Sequence, residues 1–339
     1  MSRYAAICAV ASYLPKKVEK NDVADHINQK LGIKERHIAA DDEVASDLAV
    51  QAAEQLFRSY DVKKSEIDFL LLCLQHPDYQ VPTTACQVQA RLGLAETTGA
   101  LDYNLGCSGY VYGLSLAKGL IEGGMAKNVL LVTSSIYTKY VNPADKTIQP
   151  LFGDGATATL VSAVETEEPM LHSFVFGTDG SRYDKLIIPV GGSRYQPRKT
   201  QEYFQTDERG NTRSNYEIYM DGTAITFFSM RTVPPLVKDV LKKANIGQNQ
   251  LDGCIFHQAN HYMLEKLRQR CNLMDVPYFN DIEHIGNTVS GTIPFGIDQL
   301  MYEGKLSSRR RVLLAGFGVG LSWAGCIADF SACLKRRGS

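Results

Sequence analysis

The chain is punctuated by short, continuous apolar runs, among them Phe69-Leu70-Leu71-Leu72-Cys73, Val129-Leu130-Leu131-Val132, Cys254-Ile255-Phe256 and Val312-Leu313-Leu314-Ala315. They lack the apolar/polar alternation of a half-exposed strand. Helical patterns separate them (45–57, 106–124, 224–244 and 290–303), which predicts central strands of an α/β protein covered on both faces. Residues 1–13 read as a first strand.

The runs recur at a fixed offset. Asp68–Cys73 has its counterpart 184 positions later at Asp252–His257, and Val129–Val132 returns 183 positions later at Val312–Ala315. Each pair encloses a helical pattern, so the chain reads as two halves with the same strand-helix-strand order. The join near Glu165-Thr166-Glu167-Glu168-Pro169 is short and acidic, which places the halves at 1–168 and 169–339 within one packed unit. The polar stretch 177–221, rich in Gly, Arg and Tyr, is too long for a connector and is a candidate cover for a substrate.

One segment invites a membrane reading, because 312–328 carries no charge before Asp329. Its four glycines favour two buried strands joined by a tight turn, so no membrane span is expected. Composition agrees: 339 residues with 44% hydrophobic and 22% charged residues suit a large globular core. Thirty-six Lys+Arg against thirty-seven Asp+Glu give no net field for a polyanion, so nucleic acid is not an expected ligand. Eight cysteines without a C-x-x-C pair argue against a zinc site or disulfide framework and read as free thiols in a cytoplasmic protein. The N-terminal stretch has no secretory h-region and cleavage site.

Three side chains stand where chemistry could occur. Cys107 lies between glycines (Gly106 and Gly109) just before a helical pattern, and a helix N-terminus favours the thiolate, so a lowered thiol pKa is expected. His257 ends a buried strand, the place where open α/β sheets hold ligand-handling groups. Asn287 stands in the glycine-flanked loop HIGNTVSGTIP. Each alone has a plainer reading: a buried Cys, a satisfied core or capping His, a turn Asn.

Taken together, the motifs resemble the β-ketoacyl-acyl-carrier-protein synthase III group of the thiolase-fold condensing enzymes. The resemblance runs through GIKERHIA (32–39), PTTACQVQARLG (82–93), NLGCSGYVYGL (104–114), LFGDGATATLV (151–161), HQAN (257–260), GNTVSGTIP (286–294) and FGVGLSW (317–323). It implies an α/β thiolase fold of duplicated βαβαβαββ halves in a five-layered αβαβα arrangement, a homodimer, and a Cys107-His257-Asn287 triad. Asn in the third position, in place of Glu or a second His, points to the decarboxylating branch.

The implied reaction loads an acyl group from a thioester onto Cys107. It then condenses that group with malonyl-carrier-protein in a decarboxylative Claisen step, giving a β-ketoacyl thioester. Backbone amides of Cys107 and Val319 would form the oxyanion hole, and a neutral His257 with the Asn287 amide would present N–H groups to the enolate. No metal or other cofactor is required, and no dinucleotide or P-loop pattern is present. Two further readings remain: transfer of the Cys-bound acyl group to an alcohol or amine, and an acyl- or carrier-protein-binding module without catalysis.

Substrate-binding candidates from the resemblance are Val81, Lys146, Asp221, Asn260 and Phe317. Several depart from the family pattern. His26 and Lys146 stand where relatives that prime with acetyl-CoA commonly hold adenine between Trp and Arg, and Lys lacks the planar face of Arg. The single Trp is Trp323. Asp221 replaces a usual Asn and adds negative charge where CoA would run. Val stands at 319 where relatives usually have Gly, which leaves the local turn conformation open. Acyl delivery on a carrier protein is therefore expected, with Lys266, Arg268 and Arg270 as docking candidates, although Tyr262 occupies a family basic position. Val81 replaces a Phe that in some relatives crosses the dimer interface and shortens the acyl pocket, so primers longer than acetyl are expected.

Overall fold

A computed structural model describes residues 2–208 and 210–337. Two mixed sheets carry the fold. In the first, strand order is Ser2–Tyr13, Gly155–Thr166, Asn128–Ser135, Phe69–Cys73 and Gly99–Tyr103. The last three are mutually parallel, and the first two join them antiparallel. The second has order Gly253–Phe256, Val312–Gly318, Ser322–Ala328 and Leu171–Thr178, with its first pair parallel and the rest antiparallel.

The repeat is thus preserved in pairing as well as in order. The counterpart of the edge strand Gly99–Tyr103 is reduced to a single parallel bridge between Cys254 and Tyr278.

Continuity of the apolar runs follows from burial on both faces. Within Phe69–Cys73, Leu70 and Leu72 enter the core beneath the outer helices Ala45–Ser59 and Thr84–Leu92, whereas Leu71 enters the core between the sheets. Val312–Gly318 divides likewise: Val312 and Leu314 face the middle, and Leu313, Ala315 and Phe317 face the helix Gly222–Ala244 side. The middle layer is formed by Gly109–Glu122 and Thr292–Tyr302, both touching strands of both sheets or their edges. Helices Gly222–Ala244 and His261–Arg270 complete the fifth layer.

Helix ends are set locally. Asp221 caps Gly222–Ala244 by accepting from Ala224 N at 2.9 Å, and Asn260 caps His261–Arg270 by accepting from Met263 N at 2.9 Å. The stretch 177–221 is ordered by two small antiparallel pairings, Leu186–Ile187 with Tyr219–Met220 and Phe204–Thr206 with Thr212–Ser214. None of the described helices is long and apolar enough to cross a membrane; 312–328 forms the expected strand pair, Val312–Gly318 and Ser322–Ala328.

Candidate active site

Cys107, His257 and Asn287, 180 residues apart at their extremes, line one cavity of roughly 510 Å³ between the halves. All three are buried, at 7%, 2% and 4% exposure. Cys107 follows the edge strand Gly99–Tyr103 and precedes the middle helix, which begins at Gly109 rather than at Gly106. His257 continues the strand Gly253–Phe256, its amide donating to Ala315 O at 2.8 Å. Asn287 is tied to the first half by a parallel bridge with Phe152, its amide donating to Leu151 O at 3.0 Å.

Two glycines of the second half let backbone approach Cys107. A Cβ at Gly318, where φ is +156°, would lie 2.6 Å from Cys107 Sγ, and one at Gly316 would lie 2.7 Å from Cys107 O. Ser108 Oγ meets Ser322 Oγ at 2.7 Å and closes the same seam. Gly318 and Gly320 take the positive φ values, and Val319 between them does not, so a β-branched residue fits there. The Val319 amide donates to the Cys107 sulfur.

The expected low thiol pKa is not found. Burial pushes the Cys107 thiol up to about 11, and the opposing amides of Val319 and Cys107 itself do not offset that desolvation. Proximity to a helix end is outweighed by removal of water, so the free protein holds a thiol that needs a proton acceptor. Iodoacetamide alkylation of Cys107 should accelerate about tenfold per pH unit from neutrality toward pH 11. Mass spectrometry of the modified peptide checks this, and a rate plateau near neutrality would contradict the burial argument.

His257 is held neutral, as expected, because burial drops its pKa to about 3, with a Val289 backbone contact acting the other way. Its Nδ1 lies 2.8 Å from Thr292 Oγ1, which also accepts from Gln258 N at 3.2 Å and reaches Val289 O at 3.2 Å. Asn287 Oδ1 accepts from Val289 N at 2.9 Å, which leaves the amide hydrogens on Nδ2 for the cavity. Val289 pays for this arrangement with φ +58°, an unfavourable region for a β-branched residue.

Other expected positions divide. Asp221, Asn260 and Phe317 line the cavity, Phe317 edge-on to His257 with centroids 5.6 Å apart. Asp221 and Asn260 are at the same time the helix caps described above. Lys146 is exposed and does not line the cavity; its neighbour Thr147 does. Asp145 on the other side is buried and held by Arg213 at 3.2 Å. His26 is exposed, and Trp323 packs on Phe228, 5.8 Å between centroids.

Arg268 is not a free docking cation, since it pairs with Glu265 at 3.2 Å, donates to Met274 O at 3.2 Å and lies 4.6 Å over the Tyr278 ring. Lys266 and Arg270 are exposed, the former 5.9 Å over Tyr262.

Of the expected cover 177–221, the sequence marks only Asp221 as a binding candidate. Leu186, Asp207, Glu208, Asn211, Arg213 and Tyr219 of that stretch wall the cavity. Arg213 ties it down through Asp145 and through Asp207 at 2.9 Å. A second cavity, roughly 1130 Å³, lies beside Val319, Tyr137 and Gln75 and shares Leu186 with the first. Thr292 was in view within GNTVSGTIP, and a hydroxyl at the start of a helix facing a strand-end His is the signal that would have marked it.

Two stacked halves with a Cys, a His and an Asn facing one buried cavity define a thiolase-fold enzyme. Family models agree: "3-Oxoacyl-[acyl-carrier-protein (ACP)] synthase III" matches residues 101–180 and its C-terminal counterpart matches 241–330. The chain is 35% identical to a β-ketoacyl-[acyl-carrier-protein] synthase III 2 of Halalkalibacterium halodurans, covering 95% of this chain and 96% of that one. It is 33% identical to a β-ketoacyl-[acyl-carrier-protein] synthase III of Clostridioides difficile, covering 98% and 100%. A crystal structure of a 3-oxoacyl-(acyl-carrier-protein) synthase III superposes with TM-score 0.93 at 44% identity, covering 96% and 100%. One from Burkholderia xenovorans gives 0.86 at 33% identity, covering 96% and 95%. The chain belongs to the 3-oxoacyl-[acyl-carrier-protein] synthase III family.

Proposed function

We propose that this protein is a condensing acyltransferase of the 3-oxoacyl-[acyl-carrier-protein] synthase III type, in which Cys107 takes an acyl group from a thioester and passes it to the carbanion released from malonyl-carrier-protein. The observation that carries the reading is the convergence of Cys107, His257 and Asn287 on one cavity, with the Val319 amide on the sulfur. In this reading the amides of Val319 and Cys107 hold the oxyanion of the tetrahedral intermediate, Asn287 Nδ2 donates to the charge that develops in decarboxylation, and His257 serves proton transfer. Thioester exchange and loss of CO₂ need no metal or organic cofactor. The halves are assigned as 1–168, which brings the nucleophile, and 169–339, which brings His257 and Asn287.

Acyl delivery on carrier protein is favoured over CoA. Carboxylates of Glu208 and Asp221 line the cavity, where the phosphates of CoA would meet like charge, Asp207 being paired with Arg213, and exposed Lys266 and Arg270 remain for an acidic carrier. A homodimer is proposed through the edge strand Gly99–Tyr103, which has a sheet neighbour on one side only, together with the adjoining exposed Tyr79 and Val81. Val81 is 83% exposed in the single chain and does not line its own cavities, as befits a residue that reaches toward a partner. The larger cavity beside Val319 is assigned to the acyl chain. Val81→Phe should shift the preferred primer toward shorter chains, read from the product chain lengths of competing primers. An unchanged profile would remove Val81 from the acyl site.

Intact-protein mass after exposure to acyl-CoA and acyl-carrier-protein panels tests the whole reading, with Cys107→Ala as control. An adduct on Cys107 that malonyl-carrier-protein discharges as β-ketoacyl product is expected. An adduct discharged only by an amine or alcohol would point to ester or amide formation instead, and no adduct from any donor to a binding module.

A further inference from the structure

The ring of His257 has two nitrogens with different tasks, and the surroundings of Nδ1 decide what the other one offers. Thr292 Oγ1 sits 2.8 Å from Nδ1 and is itself 3% exposed with its residue. A hydroxyl has one hydrogen and two lone pairs. One lone pair accepts from the Gln258 amide at 3.2 Å, and Val289 O, an acceptor only, lies 3.2 Å away within reach of the hydroxyl hydrogen. Giving the hydrogen to Val289 O leaves a lone pair for Nδ1, and with Nδ1 bringing its own hydrogen every one of these contacts is a hydrogen bond. The backbone contact between the His257 ring and Val289 has the same sense, because a carbonyl oxygen accepts.

From this geometry we infer that Thr292 is a positioning residue that locks His257 as the Nδ1–H tautomer, which turns the lone pair of Nε2 toward the cavity and makes His257 the proton acceptor for Cys107 in acyl loading. This differs from the sequence expectation, in which the neutral ring gave an N–H to the enolate. In the resting protein that donation belongs to Asn287 Nδ2. During loading, the Sγ–H proton of Cys107 passes to Nε2 and the new Sγ–C bond forms as the C–S bond of the incoming thioester breaks. Nε2 then returns the proton to the departing thiolate, so the step closes without a net proton.

The inference rests on the proposed reactive pairing of Cys107 with His257, but its first test needs no turnover. In full-length protein labelled with ¹⁵N-histidine, long-range ¹H–¹⁵N spectra should show the ring signals absent from His257→Gln to be those of a protonated Nδ1 and a bare Nε2. A protonated Nε2 with a bare Nδ1 would overturn it, whatever the enzyme's activity.

The second test follows Thr292→Ser and Thr292→Val by the rate of Cys107 acylation and by thermal melting. Thr292→Ser keeps the hydroxyl and should load within about twofold of the parent. Thr292→Val should slow loading on the order of 10²-fold, at the low end of what a positioned base contributes. Loading that follows melting temperature rather than the hydroxyl, with Ser as slow as Val, would reduce Thr292 to a packing residue and overturn the assignment.

Discussion

Replacing Cys107 by alanine is expected to abolish the acyl-enzyme and lower condensation on the order of 10⁶-fold, the scale seen when a covalent nucleophile is removed from its set. The change removes one sulfur from a site whose amide donors, Val319 above all, belong to the backbone and stay in place. Folding should survive, because the truncation takes away one atom at a residue that borders a cavity rather than a sealed core. The informative contrast is with malonyl-carrier-protein alone. Asn287 and His257 are untouched, so slow release of CO₂ should persist in Cys107→Ala while acyl loading, read by intact mass, is absent. If an acyl adduct formed with unchanged rate, another nucleophile would be at work; the neighbouring Cys73, whose thiol burial pushes up to about 12, is a poor substitute.

Asn287→Asp is the second large effect. Oδ1 of Asn287 accepts from the Val289 amide at 2.9 Å, and a carboxylate oxygen keeps that bond, so the strained loop should hold its shape. What is lost is the Nδ2 donor, replaced by an acceptor with negative charge facing a developing enolate. Loss of one preorganised donor costs roughly 10²–10³ in rate, and the added charge works in the same direction. Decarboxylation, followed as CO₂ release, should therefore fall by about 10³-fold, whereas Cys107 acylation should change much less. A variant that loses both half-reactions equally, or melts much lower, would show Asn287 to be a loop fastener and not a donor.

The fold was legible where burial is two-sided. Phe69–Cys73 and Val312–Gly318 are uninterrupted apolar runs because alternate side chains enter different cores, and the repeat survives as identical parallel pairing, Phe69–Cys73 with Asn128–Ser135 in one half and Gly253–Phe256 with Val312–Gly318 in the other. The meeting of Cys107, His257 and Asn287 at one cavity was legible only through their motifs, since no local pattern distinguishes Cys107 from any buried thiol. Three expectations failed for physical reasons. Nearness to a helix end is visible in sequence, but the desolvation that raises the Cys107 pKa depends on Gly316 and Gly318, more than two hundred residues away. Lys146 was placed by position in an irregular loop, where a shift of one residue exchanges it for Thr147. Arg268 shows the same limit on a helix: Glu265, one turn before it, is a neighbour that helical spacing gives, whereas Tyr278, beyond the helix, is not, and the two draw it inward.

The glycine seam has a consequence for when the protein becomes reactive. Gly316 and Gly318 lie alternate along one strand, with Phe317 between them turned the other way. Sliding that strand by a single residue would set a phenyl ring, not a bare backbone, against the sulfur. The thiol and the surface that receives it come from opposite copies of the repeat, so neither copy alone forms a competent acceptor. A nascent chain, or one whose halves have come apart, carries a water-exposed thiol without the burial, the Val319 amide or the His257 ring that surround it in the assembled site. If Cys107 is the acyl acceptor proposed above, its acylation requires both halves, and in a thermal ramp it should vanish with the parting of the halves.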